Sequence, residues 1–498
     1  MFHQHVRPAV RRVVTLAFAG AAALGLGPTG AGLAVSSSLP QPAPTIADYQ
    51  FLSSGLIPPT QTNCGSVGRR CFNPTSMRNS YNLQPLYDRG RDGSGVTIAI
   101  IDSFGNPNMA SDLANFNTQM GTQHMCGEPG LTCTSDMPTF QHVYWNGKTQ
   151  VKAPPPGSNG TGQQTRNIWA LETSLDVEWA HTIAPQANIL LMTTNPAETL
   201  GVQGFPAMMD AEQFIVDNHE ATVISQSFAS AEEAFNSTQS LLNLRHAYIS
   251  AASDGVPVLG SSGDGGTANP GRQPVKNPTT IPFPTVEWPA SDPLVTGVGG
   301  TYLCTNPNTG SLTVDTTFPP GTCQNQTHRE IGWIDSGGGF SHVFSRPSYQ
   351  DTLPLGSTPI DPTTRGVPDI SYQASSRTGV LVYDTAPGDA QGGLVCPAGD
   401  PCSAGWYVVG GTSSSCPQWA GLVAIADQIA GGHGLGLINP KLYALANSAR
   451  YTSDFYDVTT GKNQTDPSIP GYNATTGWDP ITGLGTPNAA NLVPDLAS

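Results

Sequence analysis

Apolar runs alternate with longer amphipathic segments along most of the chain after its first hundred or so residues. Four runs rich in aliphatic residues predict buried strands, at residues 95–102, 187–192, 222–228 and 256–260. Three segments with apolar residues at helical spacing predict intervening helices, at residues 167–181, 207–218 and 240–253. This alternation predicts an α/β fold with a mainly parallel central sheet and helices on both faces.

Two stretches interrupt this pattern. Residues 35–75 are rich in Pro and Ser and lack a sustained period, so they predict an N-terminal arm, with ordered structure beginning near Ser76. Residues 121–163 contain two cysteines, several glycines and three consecutive prolines, and they predict an irregular surface segment. The main domain is therefore expected to span residues 76–498.

The N-terminus has the pattern of a secretory signal peptide. Arg7, Arg11 and Arg12 precede an apolar segment rich in Ala, Leu and Gly, and small residues allow cleavage after Ala34. Residues 1–34 are therefore expected to direct secretion to the extracellular space. No later segment has the pattern of a spanning helix, so we expect no membrane span after signal removal.

Composition narrows the choice of partner. The 498 residues carry a formal net charge of −15, and only 11% of them are charged. Without a basic excess to neutralise phosphates, the composition argues against nucleic acid as a partner. Few ionisable groups also mean little self-repulsion when carboxylates gain protons, which is compatible with work at low pH. We expect a monomer.

The nine cysteines agree with an oxidising compartment. Eight of them are sequence neighbours, and local disulfides are one of many possible connectivities. The neighbours are Cys64/Cys71, Cys126/Cys133, Cys304/Cys323 and Cys396/Cys402. The ninth, Cys416, could itself be a nucleophile, but its position beside Pro417 and Trp419 favours a small buried side chain.

A predicted strand-to-helix corner at Ser413 is the first candidate for chemistry. Residues 408–409 end an apolar strand, two glycines allow a sharp bend, and an apolar helix is predicted from Trp419. A serine at such a corner is expected to be exposed, and the helix N-terminus offers N–H groups to a developing anion. Taken alone, the pattern is more typical of a tight turn with a capping serine, so its function depends on partners elsewhere.

A pair of acidic residues lies on the apolar stripe of the helix predicted at residues 167–181. Glu172 and Asp176 are four residues apart, so their charges repel, and burial makes the charged forms costlier still. Most such pairs are solvated, but this pair occupies positions where leucines are expected. A coupled pair that holds one proton at a raised pKa suits acid–base catalysis. The other members of the stripe are Ile168, Leu171, Leu175 and Trp179.

Asp264 follows another predicted strand, in a turn rich in Ser and Gly. Alone, this pattern is that of an ordinary Asx turn. Because ligands of parallel sheets bind beyond the carboxyl ends of strands, Asp264 and Ser413 can meet there.

The C-terminal region offers a candidate cation site. Asp457 and Asp479 frame a loop with several glycines. Two carboxylates and loop carbonyls suit Ca²⁺, which takes oxygen ligands in flexible geometry. A pair of ordinary turns explains the spacing equally well.

Several motifs together resemble the sedolisin family, the serine-carboxyl peptidases. Glu172 and Asp176 lie in a Leu-Asp-Val-Glu context followed by Ala184-Pro185, and Asp264 lies in Ser-Ser-Gly-Asp-Gly-Gly. Ser413 lies in Gly-Thr-Ser, and the chain ends with Gly-Trp-Asp-Pro-Ile-Thr-Gly-Leu-Gly. Each motif is weak, but four in the family's order are specific. Further similar segments are residues 223–228, 337–341 and 365–369.

The resemblance implies a subtilisin-like fold and a peptidase that acts on polypeptides at acid pH. Ser413 is then the nucleophile and Glu172 its general base, and Asp176 holds Glu172 in place. Protonated Asp264 donates to the oxyanion, beside the Ser413 backbone N–H. Residues 225–228 would hold the substrate backbone as an added strand.

The resemblance also implies one structural Ca²⁺. Its ligands would be the side chains of Asp457 and Asp479 and the carbonyls of Val458, Thr475 and Gly477.

The chain departs from the family pattern in three places. Only residues 35–75 separate the predicted signal from the first ordered motif, so the usual long prodomain is expected to be lacking. Residues 121–163 are expected to be an insertion near the catalytic helix. Cys416 and Gln418 are unusual just after the nucleophile.

Three other functions compete with this one. A neutral subtilisin would use Asp102, which follows a predicted strand, but no histidine has the required His-Gly-Thr-His setting, and we interpret Asp102 as structural. A catalytically silent secreted binding protein would not need all four catalytic positions to be filled. A structural exoprotein would leave the buried Glu172/Asp176 pair unexplained.

Overall fold

A nine-stranded sheet forms the centre of the fold. The structure is a computed structural model that describes residues 43–44, 48–154, 166–195, 204–271, 279–312, 323, 328–386 and 402–498. The strands, in chain order, are β1 (Ala43–Pro44), β2 (Asp48–Ser53), β3 (Thr97–Ser103), β4 (Phe140–Trp145), β5 (Gln150–Val151), β6 (Asn188–Thr194), β7 (Val223–Gln226), β8 (Phe228–Ala231), β9 (Val258–Ser261), β10 (Glu287–Trp288), β11 (Thr296–Leu303), β12 (Glu330–Gly332), β13 (Gly339–Phe340), β14 (Gly366–Val367), β15 (Ile370–Gln373), β16 (Val380–Asp384), β17 (Gly405–Gly410), β18 (Phe455–Tyr456) and β19 (Thr486–Pro487).

The helices accompany these strands along the chain. They are α1 (Gln61–Ser66), α2 (Pro74–Ser80), α3 (Gln84–Tyr87), α4 (Met109–Met120), α5 (Arg166–Ile183), α6 (Gly204–Asp217), α7 (Thr238–Leu242), α8 (His246–Asp254), α9 (Thr412–Ala430), α10 (Asn439–Ala446), α11 (Tyr451–Asp454) and α12 (Ala489–Leu496). None of the helices in the described ranges is long and apolar enough to cross a membrane.

The central sheet is mainly parallel. Its strand order is β12-β11-β9-β7-β3-β6-β4-β5, with β15 also paired to β11. The pairs β11–β12 and β4–β5 are antiparallel, and the other neighbours run parallel. The carboxyl ends of β3, β7 and β9 therefore lie at one edge, where residues that follow these strands can meet.

Helices cover both faces of the sheet, as the sequence predicts. Helices α5 and α9 pack together on one face, and α6 and α8 pack together on the other. β3 shows why: Ile98 and Ile100 belong to one buried core, whereas Ala99 and Ile101 belong to the other. Successive strand residues point to opposite faces, so a strand buried on both sides is a continuous apolar run.

Ordered structure begins earlier than the expected Ser76. β2 pairs antiparallel with β17, and α1 follows it, with a side-chain cap from Thr60. Residues 48–75 lack apolar periodicity because much of their order comes from pairing and a disulfide rather than from a core-facing stripe. The predicted signal, residues 1–34, lies outside the described residues.

The irregular segment predicted at residues 121–163 contains two strands of the central sheet, β4 and β5. β4 pairs parallel with β6, and Val143 and Trp145 are buried in the core. The turn residues around β4 obscured it, because so short a strand carries few apolar positions. Residues 155–163 lie outside the described part of the chain.

Three of the predicted local disulfides are present: Cys64–Cys71, Cys126–Cys133 and Cys304–Cys323. Cys402 is also disulfide-bonded, but its predicted partner Cys396 lies outside the described residues.

Candidate active site

Helix α5 presents the predicted acidic pair to the protein interior. Glu172 and Asp176 lie one turn apart, and neither has any exposed surface. Burial raises the pKa of both carboxyl groups well above their ordinary values, and the charge of Asp176 raises the pKa of Glu172 further. Both side chains are therefore buried, as their positions on the apolar stripe of the helix predict.

Asp102 is a third member of this acidic cluster, which we define as Asp102, Glu172 and Asp176. We interpreted Asp102 as structural, but its charge raises the pKa of the other two carboxyl groups. Burial raises the pKa of Asp102 itself, and the nearby Thr173 hydroxyl lowers it by less, although neither carboxylate oxygen has a described partner with ordinary hydrogen-bond geometry. The sequence could have identified Asp102 as a site residue, because it is a carboxylate near the end of an otherwise apolar strand.

Ser413 lies in the first turn of α9, directly after β17. Gly411 joins the two elements with a φ of 144°, in the region that favours glycine, and α9 begins at Thr412 rather than near Trp419. Ser413 has no exposed surface, so the expectation of an exposed tip is wrong. Helix α9 packs against α5 and the sheet, and these contacts enclose the serine.

The Ser413 side chain faces Glu172. Its hydroxyl lowers the pKa of that carboxyl group, against the larger effects of burial and the neighbouring carboxylates. Neither Glu172 oxygen has a described partner that meets the geometry of an ordinary hydrogen bond. Catalytic hydrogen bonds are often long before substrate binds.

Asp264 lies beside the nucleophile, as its position after a parallel strand predicts. Its Oδ1 accepts the Thr412 backbone N–H at 2.7 Å and the Thr412 hydroxyl at 2.8 Å. Its Oδ2 is buried without a hydrogen-bond partner in the described part of the chain. Burial raises the pKa of Asp264 well above its ordinary value, and the charges of Glu287 and Asp335 raise it as well.

These two neighbours of Asp264 were not predicted from the sequence. Burial raises the pKa of Glu287 to about 7, and burial raises that of Asp335 to about 6. A Cβ at Gly263 would lie 1.7 Å from Glu287 Oε2, so only glycine permits this approach. Neither residue belongs to a motif with Asp264, and only the fold brings them together.

Ser227 separates the strand predicted at residues 222–228 into two. Its hydroxyl donates to Asp176 Oδ1 at 3.0 Å. β7, before it, is paired on both edges within the central sheet, whereas β8, after it, belongs to a separate small sheet. Of the residues predicted to hold substrate, only Phe228 therefore lies on a strand outside the central sheet.

Cys416 is buried and free, and burial raises its thiol pKa to about 12, so the predicted packing role is consistent with the structure. No histidine is among the described groups that shift the pKa of the acidic cluster.

The C-terminal loop gathers the two predicted calcium-binding carboxylates. Asp457 Oδ2 accepts the Gly477 N–H at 3.1 Å, and Asp479 Oδ2 accepts the Thr475 N–H at 3.2 Å. Asp457 Oδ1 is buried and has no described partner with ordinary hydrogen-bond geometry, although the Tyr451 hydroxyl is near enough to lower the pKa of Asp457. The carbonyls of Val458, Thr475 and Gly477 accept no hydrogen bond from the described residues. These oxygens fit Ca²⁺.

A wider search of the described ranges finds no group of three or more His, Cys, Asp or Glu residues that could hold a metal ion. The predicted calcium ligands include only two such side chains, and the others are backbone carbonyls.

Comparisons with known proteins agree on one family, although no model of a known protein family matches the chain. Kumamolisin from Bacillus sp. (strain MN-32) is 28% identical over 436 residues, which cover 86% of this chain and 64% of kumamolisin. Tripeptidyl-peptidase 1 from Homo sapiens is 30% identical over 356 residues, which cover 67% of this chain and 53% of that protein. The chain thus spans only part of the length of these curated relatives.

A solved structure extends the match to the fold. The serine-carboxyl proteinase sedolisin from Pseudomonas, complexed with two molecules of pseudo-iodotyrostatin, has a TM-score of 0.60 and 25% identity to this chain. The match covers 85% of this chain and 97% of sedolisin. The sheet, the buried serine at the start of α9 and the acidic cluster define a subtilisin-like α/β protein of the serine-carboxyl class. The chain belongs to the sedolisin family.

Proposed function

We propose that the chain is a peptidase that hydrolyses peptide bonds at acid pH, with Ser413 as the nucleophile. The observation that carries this is the Ser413 hydroxyl beside Glu172, inside a cluster of buried carboxyl groups. The similarity to kumamolisin and to tripeptidyl-peptidase 1 supports polypeptides as the substrate class.

In the proposed reaction, Glu172 takes the hydroxyl proton as Ser413 attacks the scissile carbonyl carbon. The carbonyl oxygen becomes an oxyanion, which accepts hydrogen bonds from protonated Asp264 and the Ser413 N–H. As the C–N bond breaks, Glu172 gives its proton to the leaving amine. Water then attacks the carbonyl carbon of the acyl-enzyme, and Glu172 takes a proton from the water. As the bond to Ser413 breaks, Glu172 returns the proton to the Ser413 oxygen. Asp176 and Asp102 position Glu172 and share the cluster's protons.

Two opposite protonation requirements set the pH dependence. The acidic cluster must have lost a proton for Glu172 to act as a base, whereas Asp264 must keep its proton to donate. Because burial raises the pKa of Asp264, it stays protonated above the ordinary carboxyl range and ionises as the pH rises further. Ionised Asp264 would repel the oxyanion, so activity should fall towards neutral and alkaline pH.

The test compares the protein with Ser413→Ala and Glu172→Gln on a denatured protein substrate, from strongly acid to mildly alkaline pH. Acid cleavage that both variants lose supports the proposal. Ser415→Ala is the matched control, because the Ser415 hydroxyl bonds only to the carbonyls of Tyr372 and Gln373 and should be dispensable for cleavage.

A neutral optimum with Glu172→Gln still active would contradict the proposal and favour a subtilisin-type mechanism. No cleavage at any pH would favour a secreted binding protein on a peptidase fold.

We also propose that the C-terminal loop holds one structural Ca²⁺. Asp457 and Asp479 would supply carboxylate oxygens, and Val458, Thr475 and Gly477 would supply carbonyls. The ion would neutralise two acidic side chains that a single loop gathers. Its contribution would be to stability rather than to the reaction.

Secretion is part of the proposal. The described disulfides support an oxidising compartment, and residues 1–34 have the pattern of an export signal. Expression in a secreting host should release protein whose N-terminus follows Ala34, and retention in the cells would contradict this.

A further inference from the structure

One residue beside the candidate active site has a strained backbone. Three described residues other than glycine have a positive φ: Asn82, Phe104 and His219. Asn and His tolerate this region, whereas a bulky aromatic residue is an outlier there. Phe104 has a φ of 59°, and the Gly105 N–H donates to Ser103 O at 2.6 Å, which is the hydrogen bond of a γ-turn. The backbone at Phe104 therefore carries strain that a glycine would not.

The turn itself gives no reason for an aromatic side chain. It redirects the chain after β3, and the Asn106 amide then donates to Ser174 Oγ of α5 at 2.8 Å. Gly105 also has a positive φ, and a Cβ there would lie 2.7 Å from the His142 ring. A glycine at position 104 would allow the same backbone path without strain. Strained residues persist where they serve a function, so it is the Phe104 side chain that needs an explanation.

Phe104 lies at the carboxyl end of β3, beside the acidic cluster. Ile101 is paired with Gln226 in the parallel ladder, so β3 and β7 end side by side. Asp102 of the acidic cluster comes next on β3, and Ser227, whose hydroxyl donates to the same cluster, comes next after β7. Phe104 is two residue steps beyond Asp102, at most about 7 Å of chain. It therefore lies at the edge of the sheet where the candidate catalytic groups meet.

The Phe104 ring belongs to a group of aromatic side chains at this edge. It packs against the core on the α6 and α8 face of the sheet, which includes Trp169 and Phe228. Trp169 comes from α5, three residues before Glu172, and Phe228 directly follows Ser227. Trp169 and Phe228 are buried, whereas Phe104 is half-buried. Phe104 is therefore the member of this group that a bound molecule can contact.

The surroundings of Phe104 hold it in one place. Its N–H donates to Thr194 O at 2.8 Å, and Ser103 is paired with Thr194 in the ladder between β3 and β6. Both sequence neighbours, Ser103 and Gly105, are buried. A fixed aromatic ring loses little conformational entropy on binding, and it stabilises each apolar group that it covers. These are the properties of a residue that selects apolar ligands.

We propose that Phe104 is a specificity-determining residue that contacts a bulky apolar side chain of the polypeptide substrate, close to the scissile bond. This inference rests on the proposed function and deepens it, because it gives the peptidase a preference for aromatic and large aliphatic residues. The strained turn is retained because it presents the ring to the substrate instead of burying it in the core.

The test compares the wild type with Phe104→Gly and Phe104→Tyr at acid pH. Phe104→Gly adopts a φ of 59° without strain, so it should fold, and it removes the ring, whereas Phe104→Tyr keeps the ring. Each protein digests a denatured protein, and mass spectrometry of the products gives the residue preference at every position around the cleaved bonds. The wild type and Phe104→Tyr should favour bulky apolar residues at one position, and Phe104→Gly should lose this preference.

Peptide kinetics give the size of the effect. Two synthetic peptides are compared, which differ only by a Phe or a Gly at the favoured position. The ratio of their kcat/KM values should fall about tenfold in Phe104→Gly and stay close to the wild-type ratio in Phe104→Tyr. A loss of selectivity is a result that a purely structural role of Phe104 does not produce.

An unchanged residue preference in Phe104→Gly overturns the inference. So does an equal loss of kcat/KM for both peptides, since that is the effect of a disturbed site without lost selectivity. Absence of cleavage by the wild type contradicts the proposed function and removes this inference with it. Cleavage by the wild type with unchanged selectivity in Phe104→Gly contradicts this inference alone, so the two failures are distinguishable.

Discussion

At the scale of single residues, Asp264 decides the upper pH limit. Thr412 donates two hydrogen bonds to Oδ1, which leaves buried Oδ2 as the oxygen that can carry a proton. A carboxyl group held in this way is a donor only while protonated. The same side chain therefore supplies oxyanion stabilisation and a pH switch.

Asp264→Ala should lower kcat by about 10²–10³-fold, the usual cost of one oxyanion donor. Asp264→Asn keeps an N–H donor at every pH, so the alkaline limb of its kcat profile should move to higher pH. Asp335→Asn is the companion variant: it removes a charge that raises the pKa of Asp264, so its alkaline limb should move to lower pH. Identical pH profiles for the wild type and these two Asn variants would refute this role of Asp264.

Asp102→Asn tests the acidic cluster. Asp102 raises the pKa of Glu172 and Asp176, so its removal should lower both, and Glu172 should become an available base at lower pH. The acid limb of kcat/KM should therefore move to lower pH. The alkaline limb serves as an internal control, because Asp102 is not among the groups that shift Asp264. If the acid limb of the kcat/KM profile does not move, Asp102 has only a structural role.

The sequence predicted four site residues because each stands out locally. Glu172 and Asp176 are charges on an apolar stripe, and Asp264 and Ser413 follow strands. Glu287 could not be found in this way, since its approach to Asp264 depends on packing against Gly263, a contact between distant parts of the chain.

At the scale of elements, Glu178 in the C-terminal half of α5 belongs to a second group of buried acids, whose other members lie on α4 and β16. Burial raises the pKa of Glu178 well above its ordinary value, and the charges of Asp112 on α4 and Asp384 on β16 add to this. Burial also raises the pKa of Asp384, and it raises that of Asp112 to about 6. The Asn106 amide donates to Asp112 at 2.9 Å and to Asp384 at 3.3 Å. No cationic group is among the described groups that shift these three pKa values.

This second group should make the protein less stable as the pH rises. The folded state keeps protons that the unfolded chain has lost, so its stability is greatest at low pH. Stability falls as the pH rises from 3.8, the ordinary value for Asp112, through its folded pKa of about 6 and onwards to the raised values of the other two acids. Each newly ionised group adds repulsion between α4, α5 and β16.

Glu178→Gln should reduce this loss. Its carbonyl can still accept the Tyr383 N–H, which Glu178 Oε2 accepts at 3.1 Å, so stability at low pH should change little. Above the titration range the variant should be more stable than wild type, as measured by urea unfolding at several pH values. Asp217→Asn, at an exposed site on α6, is the control and should follow the wild-type curve. A Glu178→Gln curve that runs parallel to wild type would rule out the effect.

The observed ends of helices and strands show where the local sequence pattern no longer predicts the structure. The helix predicted at residues 167–181 is α5, because its apolar stripe is long and regular. The strand predicted at residues 222–228 breaks at Ser227, since that hydroxyl turns to Asp176 on another element. α9 begins at Thr412 because a backbone bend at Gly411 starts it there, before its apolar residues begin.

At the scale of the whole molecule, the alternation of strands and helices was enough to predict the fold class. It did not predict that residues 48–53 join β17, because pairing partners far apart in sequence leave no local periodicity. The same pairing delivers the N-terminal segment to the site. Long-range contacts of this kind connect the site to the rest of the chain.

The C-terminal loop is another such connection, so the proposed calcium ion would contribute to the stability of the whole domain. Leu484 N–H donates to Asp369 O at 2.8 Å, and Ser371 N–H donates to Gly485 O at 3.0 Å, which ties the loop to β15 in the central sheet. An ion that orders this loop should therefore raise the unfolding midpoint of the whole domain. At about 100 times its Kd, a ligand that binds only the folded state adds about 2.7 kcal/mol.

Removal of calcium with a chelator should accordingly lower the thermal midpoint, and added calcium should restore it. Asp457→Asn should start with a lower midpoint and lose this response, because it removes one of only two carboxylate ligands. Asp466→Asn changes a half-buried carboxylate outside the proposed ligand set, so it should respond to chelator like the wild type. A midpoint that the chelator leaves unchanged would show that Asp457 and Asp479 are held by loop hydrogen bonds alone, without an ion.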